Sequence, residues 1–232
     1  MKKYFILSDI HSQYDLLIDA INRIGFDESD QDHILIIAGD VLDRGKQGDA
    51  VIRYLENLII LNRVLGVVGN HDAFLIDILN HNYKLDRVKF NIEMNGFKET
   101  LKLGITEADF EITEATLDII RETFESKYAI FTKWLRELPL FLEYANHVIV
   151  HGFLDFSLSD WRDTTSHYAV WERGYNNVIP DTFKKKIIFG HTPNSHINNQ
   201  NDIIYDGKKI MIDGGAASGV QINVLVLTDI EI

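Results

Sequence analysis

The chain has no cysteine among its 232 residues. That excludes disulfide staples, thiolate nucleophiles, zinc–cysteine sites and iron–sulfur clusters. Any metal must therefore be held by Asp, His, Asn or Glu, a donor set for harder ions. Proline is scarce at 3 residues, and no apolar run approaches the ~18 residues of a membrane span. Basic side chains are also few: 23 against 35 acidic, for a net charge of −12. A surface this acidic lacks the stripe of cations that general nucleic-acid binding requires. It still permits a phosphorylated substrate, because bound cations can invert the local potential. Near the N-terminus the apolar residues 4–7 stop at Ser8-Asp9, short of the ~7–15 residues in the core of a secretion signal. A cytoplasmic location is the expectation.

What is present is repetitive in form. Short runs rich in Ile and Val, at residues 4–7, 34–38, 64–68, 148–150, 187–189 and 210–212, each end in a polar cluster. Those clusters are Ser8-Asp9-Ile10-His11, Gly39-Asp40, Gly69-Asn70-His71-Asp72, His151-Gly152, Gly190-His191 and Asp213-Gly214-Gly215. Runs of this length closed by Gly or Asp signal buried strands. Between the early ones lie amphipathic helical patterns: Leu16, Leu17, Ala20, Ile21 and Ile24, then Val51, Ile52, Leu55 and Leu58. The alternation predicts an α/β fold with parallel strands, and the polar clusters fall at the strands' carboxyl ends, where such sheets carry their sites.

Residues 80–145 break the rhythm. Leu117, Ile120, Phe124, Tyr128, Phe131, Leu135 and Leu138 step by three and four, which predicts one long helix stopped by Pro139 within a helical insertion. Residues 203–212 read as a hairpin about Asp206-Gly207, and residues 224–227 as a last strand. With no repeat or linker to divide it, the chain reads as one domain over 1–232.

Asp9 and His11, one residue apart after a strand, can reach a metal together, and Asp40 can share that ion or bridge to another. Asn70, His151 and His191 would complete a second site. Six oxygen and nitrogen donors sharing one carboxylate suit a binuclear centre for in-line phosphoryl transfer. Each cluster alone is weak, since a DxH after a strand or a Gly-His is commonly a turn. Five in order, all after strands, are specific.

These segments resemble the motifs of the calcineurin-like metallophosphoesterases and, more narrowly, the phosphoprotein phosphatase family: GDxHG, GDxxDRG, GNHE, HGG or HAG, and GH. Here they read Ser8-Asp9-Ile10-His11-Ser12, Gly39-Asp40-Val41-Leu42-Asp43-Arg44-Gly45, Gly69-Asn70-His71-Asp72, His151-Gly152-Phe153 and Gly190-His191-Thr192. The resemblance implies a sandwich of two mixed β-sheets flanked by helices, with the site on loops at one edge. It implies that Asp9, His11 and Asp40 hold one divalent ion, and Asp40, Asn70, His151 and His191 a second. Manganese is the first expectation, with iron, zinc and magnesium as alternatives. It further implies a metal-bridging hydroxide as nucleophile and His71 as general acid oriented by Asp43. Arg44, Asn70 and a second arginine would grip the phosphate, the second being Arg173 by context, with Arg162 in reserve. Asp72 replaces the glutamate of GNHE. Phe153 stands where a small residue is usual, which implies a differently shaped loop after His151.

The activity so implied is hydrolysis of phosphomonoesters, first of phosphoserine and phosphothreonine in proteins. The runner-up is symmetrical hydrolysis of diadenosine tetraphosphate, and Asp43, absent from some such relatives, tilts toward the former. A catalytically inactive scaffold would predict missing ligands, yet every ligand position is filled; a nuclease disagrees with the acidic surface. Trp161 and Trp171 are expected to be packing residues. His33, His81, His147, His167 and His196 match no motif and are expected in the core or on the surface.

Overall fold

The computed structural model describes residues 1–106, 111–229 and 231–232; residues 107–110 of the expected insertion lie outside this set. The first sheet carries β1 (Lys3–Leu7), β2 (His33–Ala38), β3 (Val64–Val67) and β9 (Leu225–Thr228) in the order β3-β2-β1-β9. β1, β2 and β3 run parallel, with Leu7 opposite Ile37 and Ala38 opposite Val67, while β9 closes the edge antiparallel. Helices α1 (Tyr14–Arg23) and α2 (Gly48–Ile60) make the crossovers. The second sheet has the order β4-β5-β6-β8-β7, from β4 (Phe141–Glu143), β5 (His147–Val150), β6 (Lys186–Phe189), β7 (Ile204–Asp206) and β8 (Lys209–Met211). Its three central strands are parallel and its two edges antiparallel.

The period-2 alternation of side chains decides how these sheets stack. Ile6, Ile34, Ile36 and Val67 point from the first sheet onto Ile149, Ile188 and Ile210 of the second, forming the inner core. Phe5, Leu7, Leu35 and Ile37 point the other way and meet Leu17, Ile21, Val51 and Leu55 of the helices. All six residues of β2 are buried, so an unbroken apolar run marks the strand covered on both faces. On the outer face of the second sheet, Val148, Val150, Ile187 and Phe189 pack under Phe153, Leu154, Ala169 and Phe183.

After β3 come α3 (Asn70–Leu79), α4 (Leu85–Asn95), a one-turn α5 (Lys98–Leu101), α6 (Glu114–Lys127) and α7 (Ala129–Arg136). The single long helix expected across 117–138 is therefore two. Tyr128 leaves the helical region at φ −124°, ψ 38°, and its hydroxyl donates to Asp49 Oδ1 at 2.6 Å. Thr132 Oγ1 donates back to the Phe124 carbonyl at 2.9 Å. The break lets Phe124, Tyr128 and Phe131 all be buried against the helical layer. Periodicity survived the break because both helices face the same core. Two short helices, α8 (Ser166–Trp171) and α9 (Ser195–Asn198), lie among the loops of the second sheet. No helix of the described residues is long and apolar enough to cross a membrane.

Candidate active site

The strand ends of both sheets converge. Asp9 and His11 follow β1, Asp40 to Arg44 follow β2, Asn70 and His71 open α3 after β3, His151 follows β5, and His191 follows β6. The loops bearing these residues are strained. Asp9, His11, Ser12, Asp40, Asp43, Arg44 and His191 all have φ between 47° and 72°, a left-handed conformation that costs non-glycine residues roughly 1–3 kcal/mol each. Backbone bonds hold the first two loops against one another: Asp9 N to Gly39 O at 3.0 Å, His11 N to Asp40 O at 3.1 Å, and Gly45 N to His11 O at 3.1 Å. Gly190 must be glycine for close approach, because a Cβ there would overlap the Asp9 carboxylate.

Asp72 ties the second and third loops together. Its carboxylate accepts from Asp40 N and Gly69 N at 2.8 Å each and from Val41 N at 3.0 Å. The N-terminal amide of His71 donates to Asp40 Oδ1 at 2.9 Å, so the positive end of α3 faces that acid.

Four imidazoles surround Asp40. His11 Nδ1 donates to the Leu42 carbonyl at 3.1 Å. Its Nε2 then lies 3.9 Å from Asp9 Oδ1 and 3.7 Å from Asp40 Oδ2. His151 Nδ1 likewise donates to the Ala38 carbonyl at 2.9 Å. That aims Nε2 at Asn70 Oδ1, 3.0 Å away, and Asp40 Oδ2, 3.3 Å away. His191 donates its backbone N–H to Asp9 Oδ2 at 3.1 Å, and its buried Nε2 has no hydrogen-bond partner among the described residues. His71 Nδ1 meets Asp43 Oδ2 at 2.6 Å.

Electrostatics sort these groups. Burial pushes His11 down to about 3 and His191 down to about 3, leaving both rings neutral with a free lone pair. Burial alone would also lower His151, but Asp40 and then Asp9 outweigh it and raise it to about 10. For His71 the opposition of burial is likewise overcome by Asp40 and Asp43, and its pKa is raised. Burial raises Asp9 to about 6, and it works against ionised Asp40 too, yet His151 and His71 hold that carboxyl well below its usual range.

These features fit divalent cations. Two neutral imidazoles, one with an orphaned buried nitrogen, stand beside carboxylates, and a third points its Nε2 at two acceptor oxygens. A ring so placed needs either a proton or a metal ion between it and those oxygens. Among the described residues two groups have donor atoms close enough to share an ion: Asp40 with His11 and His71, and Asp40 with His151 and His191. A metal-ligating histidine fixed by its other ring nitrogen on a backbone carbonyl is a recurring arrangement.

The cavity over this cluster measures about 340 Å³, and its wall includes Asp9, His11, Asp40, Asn70, His71 and His191. His151 lies behind the wall, fully buried. The exposed Arg44 and Arg173 stand on the wall, and Arg173 donates to Thr192 Oγ1 at 2.9 Å. Arg162 lies outside the wall, engaged by Glu143 at 2.6 Å and Asp160 at 3.3 Å. Phe153 turns into the core between Phe156 and Phe189. Gly174 makes room for it, since a Cβ there would overlap the ring.

Three more residues reach the site. Thr100, from the insertion, accepts from Asp43 N at 3.0 Å through Oγ1 and donates to Asp43 Oδ1; nothing in its sequence context marks it. Asp213 lies on the cavity wall with its carboxyl raised well above the ordinary value by burial and then Asp9. Its signal was legible, being the same apolar run closed by Asp-Gly. Trp171, expected to be a packing residue, is 36% exposed on the cavity wall, because α8 ends there and sets its indole between Phe74 and His191. His196 lies exposed at the same wall. His33 is core, packed on Phe5 and Phe26.

Comparison with known proteins matches the family model of the calcineurin-like phosphoesterases over residues 2–214. The asymmetrical bis(5'-nucleosyl)-tetraphosphatase PrpE of Bacillus subtilis (strain 168) is 25% identical in an alignment of 240 positions that covers 98% of this chain and 92% of that protein. The serine/threonine-protein phosphatase 2 of Salmonella typhimurium (strain LT2) is 37% identical over 75 residues, 32% of this chain; the match spans 31% of the length of that phosphatase. Among solved structures, a cold-active protein-tyrosine phosphatase of a psychrophilic Shewanella species shares the fold. It has a TM-score of 0.60 and 19% identity, covering 99% of this chain and 76% of that one.

Proposed function

The chain belongs to the calcineurin-like phosphoesterase family, and from that premise we propose that it hydrolyses phosphomonoesters of alcohols, phosphoserine and phosphothreonine in proteins first among them. The observation that carries this reading is the buried pair of His71 Nδ1 and Asp43 Oδ2, 2.6 Å apart, at the cavity over the Asp–His cluster. An alkoxide is a poor leaving group and needs a proton as the ester bond breaks, whereas the polyphosphate released from an anhydride leaves without one. A histidine held protonated by a carboxylate supplies that proton near neutral pH.

In this reading Asp9, His11 and Asp40 would hold one divalent ion, with His71, whose donor atom is also in reach of it, kept for proton transfer by its bond to Asp43. Asp40, Asn70, His151 and His191 would hold a second, with manganese the expected metal. Such ions supply an activated water and Lewis acidity toward the phosphoryl oxygens. His71 donates its proton to the departing oxygen. Asp43 keeps the ring oriented and charged, and Thr100 keeps Asp43 oriented. Arg44 and Arg173 offer paired guanidinium donors to the phosphoryl oxygens, with the Asn70 side chain beside them.

Dinucleoside tetraphosphate hydrolysis, expected above as symmetrical cleavage, is the second reading; the relative from Bacillus subtilis that matches nearly end to end is an asymmetrical tetraphosphatase and favours that substrate class. The deciding experiment compares kcat/KM of the manganese-loaded protein on a phosphothreonine peptide and on diadenosine tetraphosphate under identical conditions. The peptide is expected to be preferred. Preference for the dinucleotide would replace the first reading with the second, and fewer than one ion per chain after reconstitution would return the protein to a scaffold role.

A further inference from the structure

A second cavity, of about 310 Å³, lies next to the reaction cavity and shares one wall with it. Trp171 lines both. The order of rings is continuous: His71 to Phe74 at 5.2 Å, Phe74 to Trp171 at 5.9 Å, and Trp171 to His191 at 6.0 Å between centroids. The general acid marks the side from which the leaving group departs, and Phe74, one ring beyond it, is the first wall of the second cavity. A substrate group that extends past the leaving oxygen on the side of His71 would meet Phe74 and enter that cavity.

Its lining describes the occupant. Phe74, Tyr83 and Trp171 supply aromatic faces, Lys84 and Arg87 stand exposed at the rim, and the half-buried Asp77 lines the cavity from α3. Burial raises the Asp77 pKa, and the Asn82 side-chain amide first and the Arg87 charge second pull it back; its carboxylate on the same wall offsets one of the two rim cations. The balance of about one positive charge is poorly matched to a polyphosphate carrying three or four negative charges. It suits a flat apolar group with at most a single acidic neighbour.

Resting on the phosphomonoesterase reading above, we propose that this cavity is a substrate subsite for a large aromatic side chain close in sequence to the phosphorylated residue, with an adjacent acidic residue met by Lys84 and Arg87. Tyr83 and Lys84 come from the loop between α3 and α4 and Arg87 from the first turn of α4, so this specificity belongs to the insertion and not to the strand-end loops.

The test uses phosphothreonine peptides in which Phe or Ala is placed at each of three positions on either side of the phosphothreonine. Each is assayed with the manganese-loaded full chain and with its Tyr83→Ala and Arg87→Ala variants. Free phosphothreonine, which carries no flanking side chain, is the substrate that does not engage the cavity, and p-nitrophenyl phosphate reports general phosphoesterase activity. At one or more positions Phe is expected to raise kcat/KM about 10-fold over Ala, the scale set by burying one large apolar side chain. Tyr83→Ala should abolish that gain, and free phosphothreonine turnover should stay at the wild-type rate in both variants. If all peptides are hydrolysed at the same rate, the subsite is refuted and the phosphatase reading stands. If no peptide is hydrolysed while p-nitrophenyl phosphate is, both fall. Inhibition by adenosine diphosphate that is lost in Tyr83→Ala would overturn the peptide occupant and assign the cavity to a nucleotide.

Discussion

Replacing Thr100 by valine probes a contact that joins the insertion to the reaction centre. The two side chains have nearly the same shape, so the change removes a hydroxyl without opening a cavity. That hydroxyl accepts from Asp43 N at 3.0 Å and donates to Asp43 Oδ1, and both residues are buried, at 1% exposure each. Loss of a hydrogen bond to an ionised group costs about 1.5–3 kcal/mol, and a buried amide left without an acceptor about 1–3 kcal/mol more. Partial relaxation of the α5 turn lowers the sum, and a net loss of about 2–4 kcal/mol is expected. For a chain of this size about 2–4 °C of Tm accompanies each kcal/mol, so the melting temperature should fall by roughly 4–16 °C. Catalysis should respond as well. Asp43 loses one of the groups that favour its ionised form, and His71 becomes less firmly oriented. Turnover of an alkyl phosphate should fall about 10-fold, and of an activated aryl phosphate less, because the weaker base needs less protonation. Thermal melts and kcat on both substrates are the assay, with Thr100→Ser as the control that keeps the hydroxyl. A Thr100→Val protein melting within 2 °C of wild type, or losing activity equally on both substrates, would refute the reasoning.

Substituting His71 by Asn should lower kcat on a phosphothreonine peptide by roughly 10²–10⁴-fold and much less on p-nitrophenyl phosphate; equal losses would reject the acid role. Tyr128→Phe keeps the buried ring and deletes the 2.6 Å bond to Asp49; because that carboxylate is 43% exposed, the expected loss is only about 0.5–1.5 kcal/mol, read by urea unfolding. Acid should destabilise the protein through two carboxylates. The Arg162 hydrogen bond first, and Lys185 beside it, hold Glu143 down to about 2, and the Tyr128 hydroxyl first, then Arg53, holds Asp49 below its usual range. Depressed folded-state pKa values mean that this stability is complete above pH about 4.5 and is lost as pH falls toward 2. Glu143→Gln should flatten that slope in urea midpoints taken from pH 7 to pH 3, and an unchanged slope would reject the assignment.

The strand-end residues could be read in advance because local chemistry places them. An apolar run that must be buried ends where the chain turns, and parallel strands joined by helices put those turns at one edge. Hence Asp9, His11, Asp40, Asn70, His151 and His191 were nameable from residue types and spacing, as were the α/β class and the hairpin at Asp206-Gly207, while His71 and the two-sheet sandwich followed from the resemblance of the motifs. The break at Tyr128 was hidden, because α6 and α7 bury their apolar faces on the same side and so preserve the 3.6-residue pattern through it. Context favours Arg173 over Arg162, and only the tertiary structure shows Arg162 engaged by Glu143, 19 residues away and on a different element. Thr100 is 57 residues from Asp43, and no periodicity or motif carries information over that separation. The same holds for Trp171, set beside Phe74 by the meeting of a loop on the second sheet with a helix of the first. Sequence determined which residues can do chemistry and on which turns they stand. Tertiary packing decided what orients them and what walls the space beside them, since those contacts join segments whose proximity exists only once both sheets and the insertion have closed on one core.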